Sequence, residues 1–119
     1  MENSPIKLYT ENRPWGSFTE FTKNTPSTVK IIIVNPNEEL SLQYHHNRDE
    51  FWFVVSGVGI ATVGDSKIDI KEKDTCFIPR NTNHRVKATD SVLTFMEISL
   101  GDFDENDIVR LEDNYGRIN

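Results

Sequence analysis

Cysteine is almost absent from this sequence, and long apolar runs are missing. The single cysteine, Cys76, has no partner for an internal disulfide, which is typical of proteins from a reducing compartment. No run approaches the roughly 20 apolar residues that cross a bilayer, and the N-terminus, Met1-Glu2-Asn3-Ser4-Pro5, lacks the apolar segment of a secretory signal. We therefore expect a cytoplasmic protein that does not bind membranes.

Positive charge is also in short supply. The 119 residues include 13 Lys and Arg against 19 Asp and Glu, which gives a formal net charge of -6. Proteins that bind nucleic acids or anionic lipid surfaces carry surplus basic residues, because their contacts neutralise phosphates. The composition therefore argues against a nucleic-acid partner and leaves a small molecule as the expected ligand.

Helical periodicity is the third absence. No window repeats apolar residues at i, i+3, i+4 and i+7 over three turns, whereas short β-branched and aromatic runs end at Gly, Pro, Asn, Asp or Ser. The sequence predicts one all-β domain over residues 1–119, with an N-terminal arm at about 1–14 and a C-terminal tail at about 102–119. Residues 107–112 fit either an edge strand or one or two helical turns, and Gly64-Asp65-Ser66 predicts a hairpin turn. The expected strands cover residues 28–34, 40–44, 50–55, 59–63, 67–70, 75–78 and 91–99.

Four polar side chains could converge on one metal ion. Side chains two apart on a strand share a face, so Gln43 and His45 point the same way. A short turn over residues 46–49 would fold Glu50 back beside them, and His84 follows the strand at 75–78 after a short loop. Two nitrogen and two oxygen donors suit a divalent ion such as Zn, Mn, Fe, Co or Ni, with open positions for substrate. The alternative is that the histidines are ordinary surface residues.

The same residues form a pattern that resembles the cupin family. The first cupin motif, G-x5-H-x-H-x(3,4)-E-x6-G, is matched by Gln43-x-His45-x4-Glu50-x6-Gly57, with Gln in the place of the first His. The second motif, G-x5-P-x-G-x2-H-x3-N, is matched at Pro79 and His84 and departs at Lys73, Asn81 and Ala88. The resemblance implies a double-stranded β-helix, the cupin jelly-roll barrel, which encloses a ligand site.

Four strings resemble, more narrowly, the type II phosphomannose isomerase domain, which is commonly the C-terminal part of bifunctional mannose-1-phosphate guanylyltransferases. They are Arg13-Pro14-Trp15-Gly16, Leu40-Ser41-Leu42-Gln43-x-His45-His46-x-Arg48-x-Glu50, Phe77-Ile78-Pro79 with His84-Arg85, and Asp107-Ile108-Val109-Arg110-x-x-Asp113-x-Tyr115-Gly116-Arg117. The resemblance implies a metal-dependent aldose-ketose isomerase that interconverts mannose 6-phosphate and fructose 6-phosphate through an enediolate. The Gly-rich phosphate loop of the transferase half is absent, so we expect a free-standing isomerase that makes no nucleotide sugar.

Three residues are candidates for the base that moves the proton. Glu97 lies on the strand at 91–99, and if its face lines the barrel it is a buried carboxylate whose pKa is raised by desolvation. The alternative is a surface Glu paired with a nearby Lys or Arg. Asp113 belongs to the tail string of the family, and His46 faces away from His45 if the strand continues, as a substrate-facing group or a surface residue. Ser99 stands where the family usually has Gln, which bears on activity and substrate choice.

Five basic residues lie in or beside these strings and are candidates for binding the substrate phosphate. They are Arg48, Arg85, Lys87, Arg110 and Arg117, with Arg85 and Arg117 foremost. Arg suits phosphate because its planar fork donates two parallel hydrogen bonds, so we expect these residues to lie together at one mouth of the barrel. The alternative for each one is a solvated surface charge.

Two other functions fit the same residues. One is a non-catalytic cupin that binds a sugar phosphate or another small ligand, and the other is a metal cupin of different chemistry, such as an oxygenase, against which Gln43 argues. The run at 50–55 is apolar on both faces, so we expect its outer face to be covered and the protein to form a homodimer. For Arg13-Pro14-Trp15-Gly16 we expect a structural role in which Trp15 packs.

Overall fold

The structure, a computed structural model, describes residues 4–117 and consists there of eleven β-strands without a helix. This confirms the all-β prediction. No helix able to cross a membrane occurs among these residues. The strands are β1 (Tyr9–Arg13), β2 (Gly16–Glu20), β3 (Thr28–Val34), β4 (Leu42–Tyr44), β5 (Arg48–Ser56), β6 (Val58–Val63), β7 (Ser66–Lys71), β8 (Thr75–Ile78), β9 (His84–Ala88), β10 (Leu93–Gly101) and β11 (Val109–Glu112).

All seven predicted strands are present, because alternating apolar residues and clear breakers mark each of them. Strands β3 and β8 match their predicted bounds, and the others differ by one or two residues at an end. The predicted hairpin turn is confirmed: Val63 pairs with Ser66, and Gly64 has a φ of 58°, a conformation that glycine adopts at little cost. The ambiguous tail contains β11, which is an edge strand.

Three strands were not predicted, namely β1, β2 and β9. Residues 9–13 of the expected N-terminal arm are the first strand of a hairpin with β2, and residues 1–3 of that arm lie outside the described chain. Strand β9 was missed because Arg85 and Lys87 interrupt its apolar residues. Those two residues occupy the outward positions of the strand, where solvent favours charge.

Two antiparallel sheets face each other and enclose the core. The four-stranded sheet has the order β3-β10-β5-β8, and the five-stranded sheet has the order β11-β4-β9-β6-β7. Alternate side chains point between the sheets, and the buried core there includes Trp52 and Phe95. Glu50 precedes Trp52 by two residues on β5, and Glu97 follows Phe95 by two residues on β10. Glu50 and Glu97 therefore point to the same inside of the barrel as the core residues, at one end of it.

The outer face of the four-stranded sheet is partly covered by residues that flank the β1–β2 hairpin. Ile6 and Phe21 pack there with Phe51 and Ile98, and the ring centroid of Phe21 lies 5.1 Å from that of Phe53. This bears out the expectation that the outer face of residues 50–55 is covered. Among the described strands, β1 and β2 pair only with each other. The expectation that Trp15 packs is wrong within this chain, because the turn exposes 74% of its surface.

Candidate metal site

A cavity of about 190 Å³ opens at the polar end of the barrel. This volume is smaller than the roughly 300–1,000 Å³ of pockets that hold drug-sized ligands. A cavity of this size suits a metal ion together with a small polar molecule. Its lining consists of Lys30, Ile32, Leu40, Ser41, Gln43, His45, Arg48, Glu50, Trp52, His84, Glu97, Glu105, Ile108, Arg110 and Arg117.

Three of the four predicted metal ligands form a buried cluster. His45, Glu50 and His84 offer ligand atoms that all lie within 4.8 Å of one another. His45 follows β4, Glu50 lies near the start of β5, and His84 begins β9, so three neighbouring parts of the barrel contribute one ligand each. The three side chains are almost fully inaccessible to solvent, and buried groups of this polarity require partners or a bound ion.

The two imidazole rings are oriented by backbone carbonyl groups. The Nδ1 atom of His45 lies 2.7 Å from the carbonyl oxygen of Asp107, and the Nδ1 atom of His84 lies 2.9 Å from that of Thr82. When the rings are neutral, each Nδ1–H donates to a carbonyl and Nε2 is left unprotonated. The Nε2 atoms face Glu50 at 3.1 Å for His45 and 3.7 Å for His84. Two nitrogen lone pairs and a carboxylate directed at one point are the arrangement that a divalent cation fits.

Gln43 lines the same cavity and is oriented as an oxygen donor. Its amide nitrogen donates to the Ser41 hydroxyl at 3.0 Å and to the Ser41 carbonyl at 3.3 Å, and its oxygen is thereby left for another partner. Gln43 is also the cross-strand neighbour of His84 between β4 and β9. The four predicted ligands thus lie in one cavity, and their nitrogen and oxygen donors fit a divalent ion.

Arg48 supplies a positive charge directly beside the ligand cluster. Its Nη2 atom donates to Nε2 of His45 at 3.2 Å, and its Nε atom donates to Glu50 at 3.3 Å. Burial by itself would raise the pKa of Glu50, but its contacts with the His45 and His84 rings, when these are protonated, hold that pKa below its usual range. Burial lowers the pKa of His84 and favours the neutral ring that a metal requires.

Glu97 is the one predicted base that lines the cavity. It is 7% exposed and lies on the inward face of β10 with Leu93, Phe95 and Ser99. Burial, followed by the charge of Glu50, raises the pKa of Glu97 to about 8. Its carboxyl group is therefore mostly protonated at pH 7 and about half-protonated near pH 8.

The other two candidate bases lie outside the cavity lining. Asp113 is held by Arg117 through contacts of 2.8 and 3.1 Å, and these hydrogen bonds lower its pKa to about 2. His46 is exposed, and its Nδ1 atom lies 3.0 Å from the side-chain oxygen of Asn81. Neither residue is positioned to receive a proton from a molecule in the cavity.

The structure places three of the five candidate basic residues at the cavity and two outside it. Arg48, Arg110 and Arg117 line the cavity. Arg85 and Lys87 line a groove on the outside of the five-stranded sheet, because they alternate with His84 along β9. There Arg85 donates to Glu112 at 3.0 Å and to the carbonyl of Leu40 at the same distance.

Several residues of the site were missed by the sequence analysis. Lys30 lines the cavity from an inward position of β3, and its Nζ atom contacts Glu105 at 2.9 Å. A lysine within an otherwise apolar run, two residues before the inward Ile32, was the signal that could have revealed it. Phe103 lies between two cations, 4.4 Å from Lys30 and 4.6 Å from Arg48. No sequence pattern indicates that contact, because it depends on the path of a loop.

Ser99 is buried on β10, where it pairs across the sheet with Glu50, and its hydroxyl has no hydrogen-bond partner within the described chain. It does not belong to the residues that line the cavity. The position at which the family usually has Gln therefore lies beside Glu50 across the sheet and outside the cavity lining in this chain.

Comparison with known proteins identifies the family of this chain. Residues 3–113 match the family described as "Mannose-6-phosphate isomerase C-terminal". The chain is 41% identical over 107 residues to "Xanthan biosynthesis protein XanB" of Xanthomonas campestris and 40% identical over 107 residues to "Alginate biosynthesis protein AlgA" of Pseudomonas aeruginosa. Each alignment covers 88% of this chain, which spans 23% of the XanB sequence and 22% of the AlgA sequence.

Solved structures share the fold. The capsular polysaccharide assembling protein CapF of Staphylococcus aureus superposes with a TM-score of 0.64 at 25% identity, over 89% of this chain and 34% of that one. A cupin protein of Bacteroides fragilis has a TM-score of 0.60 at 23% identity, over 65% of this chain and 67% of that one. The cupin fold is thereby confirmed, and the family match over residues 3–113 places this chain in the mannose-6-phosphate isomerase C-terminal family.

Proposed function

We propose that this chain is a metal-dependent aldose-ketose isomerase that interconverts mannose 6-phosphate and fructose 6-phosphate. The observation that carries the proposal is a buried ligand set, Gln43, His45, Glu50 and His84, in one cavity with Glu97. Family membership supports the substrate class, and the chain's 22–23% share of its relatives' length leaves the activity of this chain to experiment.

Glu97 is the residue that we assign to proton transfer. In its carboxylate form it takes the proton from C2 of the aldose and returns it to C1, while the hydroxyl proton of O2 moves to O1. A group with a pKa of about 8 can both accept and return a proton near neutral pH. When bound, a divalent ion would supply Lewis-acid stabilisation of the negative charge that develops on the sugar oxygens.

We assign the phosphate group of the substrate to the part of the cavity that is lined by Arg110. Arg110 lines the cavity, and its buried Nε atom has no hydrogen-bond partner within the described chain. Arg117 is tied to Asp113 and Arg48 to Glu50, so Arg110 is the arginine that a phosphate can engage without breaking an ion pair. A dianion bound there would satisfy a buried donor through the strong charge-assisted bonds that guanidinium groups form.

A coupled assay tests the activity. Metal-loaded protein with Mn, Co, Ni or Zn is expected to convert mannose 6-phosphate. Glu97→Gln is expected to lower kcat/KM at least about 100-fold, the scale of a lost general base. His45→Ala is expected to lower kcat/KM at least about 100-fold as well, because it removes a metal ligand. His46→Ala is the matched control, because His46 is adjacent in sequence but exposed. Absence of turnover above buffer with all four metals would exclude the isomerase.

A binding protein without catalysis is the second candidate, and the contact between Arg48 and Nε2 of His45 favours it. That contact occupies the lone pair that a metal needs. Isothermal titration calorimetry with mannose 6-phosphate separates the two functions: tight binding without turnover supports the binding protein, whereas binding with turnover supports the enzyme.

A further inference from the structure

The indole nitrogen of Trp52 is a buried polar atom beside the ligand cluster. Trp52 is 2% exposed and lines the cavity, and it follows Glu50 by two residues on β5, so both side chains point into the barrel. Its Nε1–H donates to Oε1 of Glu50 at 3.0 Å. An indole nitrogen donates a hydrogen bond but has no lone pair to offer a metal ion. Any role of Trp52 at this site therefore acts through the carboxylate of Glu50.

The two carboxylate oxygens of Glu50 have different partners. Oε1 accepts from the indole and lies 3.7 Å from Nε2 of His84, whereas Oε2 lies 3.1 Å from Nε2 of His45 and accepts from Arg48 at 3.3 Å. An ion that binds both imidazole rings has to take the place of Arg48. That exchange does not involve the indole, so the bond from Trp52 to Oε1 can persist while the partners of Oε2 change.

The indole ring is fixed by the core around it. Its centroid lies 5.2 Å from that of Phe95 and 5.7 Å from that of His84, and the planes of the indole and imidazole rings meet at 68°. Across the sheet, Trp52 pairs with Cys76 on β8 and with Glu97 on β10. A side chain enclosed in this way cannot turn to follow a rotating carboxylate, because a close-packed core has no space for the movement. The N–H group is therefore a stationary donor.

We propose that Trp52 is a positioning residue that holds Glu50 through Oε1 and presents Oε2 to the metal ion. Carboxylates that bind metals are themselves held by hydrogen bonds, and a bond to one oxygen engages a lone pair that the ion could otherwise use. Glu50 then binds through one oxygen, and a ligand position of the ion stays open for the substrate. The inference rests on the metal site of the proposed function and not on the isomerase reaction, so it holds equally for a metal-binding protein without turnover.

Isothermal titration calorimetry of the metal-free protein with zinc tests this inference. Trp52→Phe keeps an aromatic ring in the core but has no donor for Glu50. We expect its dissociation constant for zinc to be about 10- to 100-fold higher than that of the wild type, the range observed when groups behind a metal ligand are lost. Phe95→Leu is the matched control, because it loosens the packing against Trp52 and leaves the hydrogen-bond donor in place. Its zinc affinity is expected to stay close to that of the wild type.

An analogue of tryptophan separates the hydrogen bond from the packing of the ring. Benzothienylalanine in place of Trp52 exchanges the indole N–H for sulfur in a bicyclic ring of nearly the same shape, so the core stays filled while the donor is lost. We expect the zinc affinity of this variant to fall as far as that of Trp52→Phe. Wild-type zinc affinity in the analogue would overturn the inference. An equal loss of affinity in Phe95→Leu would overturn it as well, because packing alone would then control the site.

Nuclear magnetic resonance follows the hydrogen bond itself. The chain has 2 tryptophans, and Trp15 is 74% exposed, so the two indole N–H signals should differ strongly in their exchange with solvent. The Trp52 signal is expected to shift when zinc is added and to keep slow deuterium exchange at saturation, whereas the Trp15 signal should exchange rapidly throughout. Rapid exchange of the Trp52 N–H in the zinc-bound protein would mean that the bond is broken and would overturn the inference.

The outcomes for this inference and for the proposed reaction are distinguishable. A wild-type protein that binds no zinc would overturn the role of Trp52 and leave the activity assay with the other metals to decide the isomerase. A protein that binds zinc but shows no turnover with any of the four metals would overturn the isomerase alone. Wild-type zinc affinity in Trp52→Phe would overturn the role of Trp52 alone.

Discussion

Asp107 holds the His45 region through two different groups. Its backbone carbonyl accepts the hydrogen bond from Nδ1 of His45, and its carboxylate accepts those of the His46 and Asn47 amides at 2.8 and 2.9 Å. The carboxylate thereby fixes the turn that places His45. We expect Asp107→Ala to weaken metal binding about tenfold or more, the range observed when groups behind a metal ligand are lost.

The control for Asp107 lies three residues earlier in the same loop. The carboxylate of Asp104 accepts from the Asn106 amide and does not contact the His45 turn. Metal affinity measured by calorimetry should therefore be unchanged in Asp104→Ala. Equal affinities of Asp107→Ala and the wild type would show that the turn holds without the carboxylate.

Glu97 makes the stability of the metal-free protein depend on pH. Its pKa is about 8 in the folded chain, above the ordinary value of 4.5, so the folded state binds this proton more tightly than the unfolded state does. The resulting stabilisation is complete below pH 4.5 and is lost as the pH rises through about 8.

Chemical unfolding in the presence of a chelator measures this effect. The free energy of unfolding of the wild type minus that of Glu97→Gln should fall between about pH 5 and 8, by at most about 1.4 kcal/mol per pH unit. The subtraction removes the opposing contribution of His84, whose lowered pKa acts in the other direction. Parallel profiles for the two proteins would contradict the raised pKa of Glu97.

Alternation along the strands decided which residues could be predicted. Gln43 and His45 were found because residues two apart share a face, and both line the cavity. The same rule would have moved Arg85 and Lys87 away from the site if β9 had been recognised as a strand. Asp107 acts through a carbonyl group as well as its side chain, and no sequence pattern reports where a carbonyl points.

At the scale of the strands, the turn between β5 and β6 depends on Gly57. Gly57 has a φ of 89°, and a Cβ atom there would overlap the backbone carbonyl oxygen of Val92. A side chain at this position would have to displace backbone, since no flexible group can move aside. We expect Gly57→Ala to lower the free energy of unfolding by about 3 kcal/mol, through backbone strain together with overpacking.

Gly64→Ala separates these two causes. Gly64 also has a positive φ, of 58°, but the nearest atom to an added methyl group would be a Thr82 methyl carbon at 3.9 Å. Its replacement should cost about 1 kcal/mol in urea unfolding, from backbone strain alone. Similar losses for the two variants would mean that the Val92 carbonyl moves aside easily.

The strands that were missed share a physical reason. The hairpin strands β1 and β2 contain polar residues on one face and aromatic residues mixed with charges on the other, so no apolar row marks them. Sequence periodicity reports burial within the chain, and these strands have little of it. The strands β5 and β10 carry the clear pattern because both of their faces are packed, whereas β3 is apolar on both faces and packed on one.

At the scale of the whole molecule, a metal ion that binds only the folded state should stabilise the protein. The expected gain is about 2.7 kcal/mol when the free ion is at about 100 times its dissociation constant. Thermal unfolding with and without a chelator measures it. His45→Ala should abolish the difference, whereas His46→Ala should retain it, because only His45 belongs to the buried cluster.

The overall architecture was predictable because its two sheets satisfy one simple requirement, an apolar face on each. The closure of the cavity was not predictable from the sequence, because it depends on contacts between segments that are distant in the chain. Lys30 and Glu105 lie 75 residues apart in sequence and meet at the cavity. Nothing in either local sequence specifies the other.

A metal ion that enters the cavity must replace Arg48 as the partner of His45 and Glu50. Its guanidinium group balances Glu50 and occupies Nε2 of His45, so an arriving ion must take both partners from it. The cavity then contains the positive charges of both the ion and the displaced guanidinium group. An anionic ligand can neutralise this excess positive charge. Affinities for the ion and for phosphate should therefore rise together, and by thermodynamic reciprocity each must enhance the other by the same factor. Calorimetric titrations of each with and without the other measure both factors, and absence of any enhancement would show that the two bind independently.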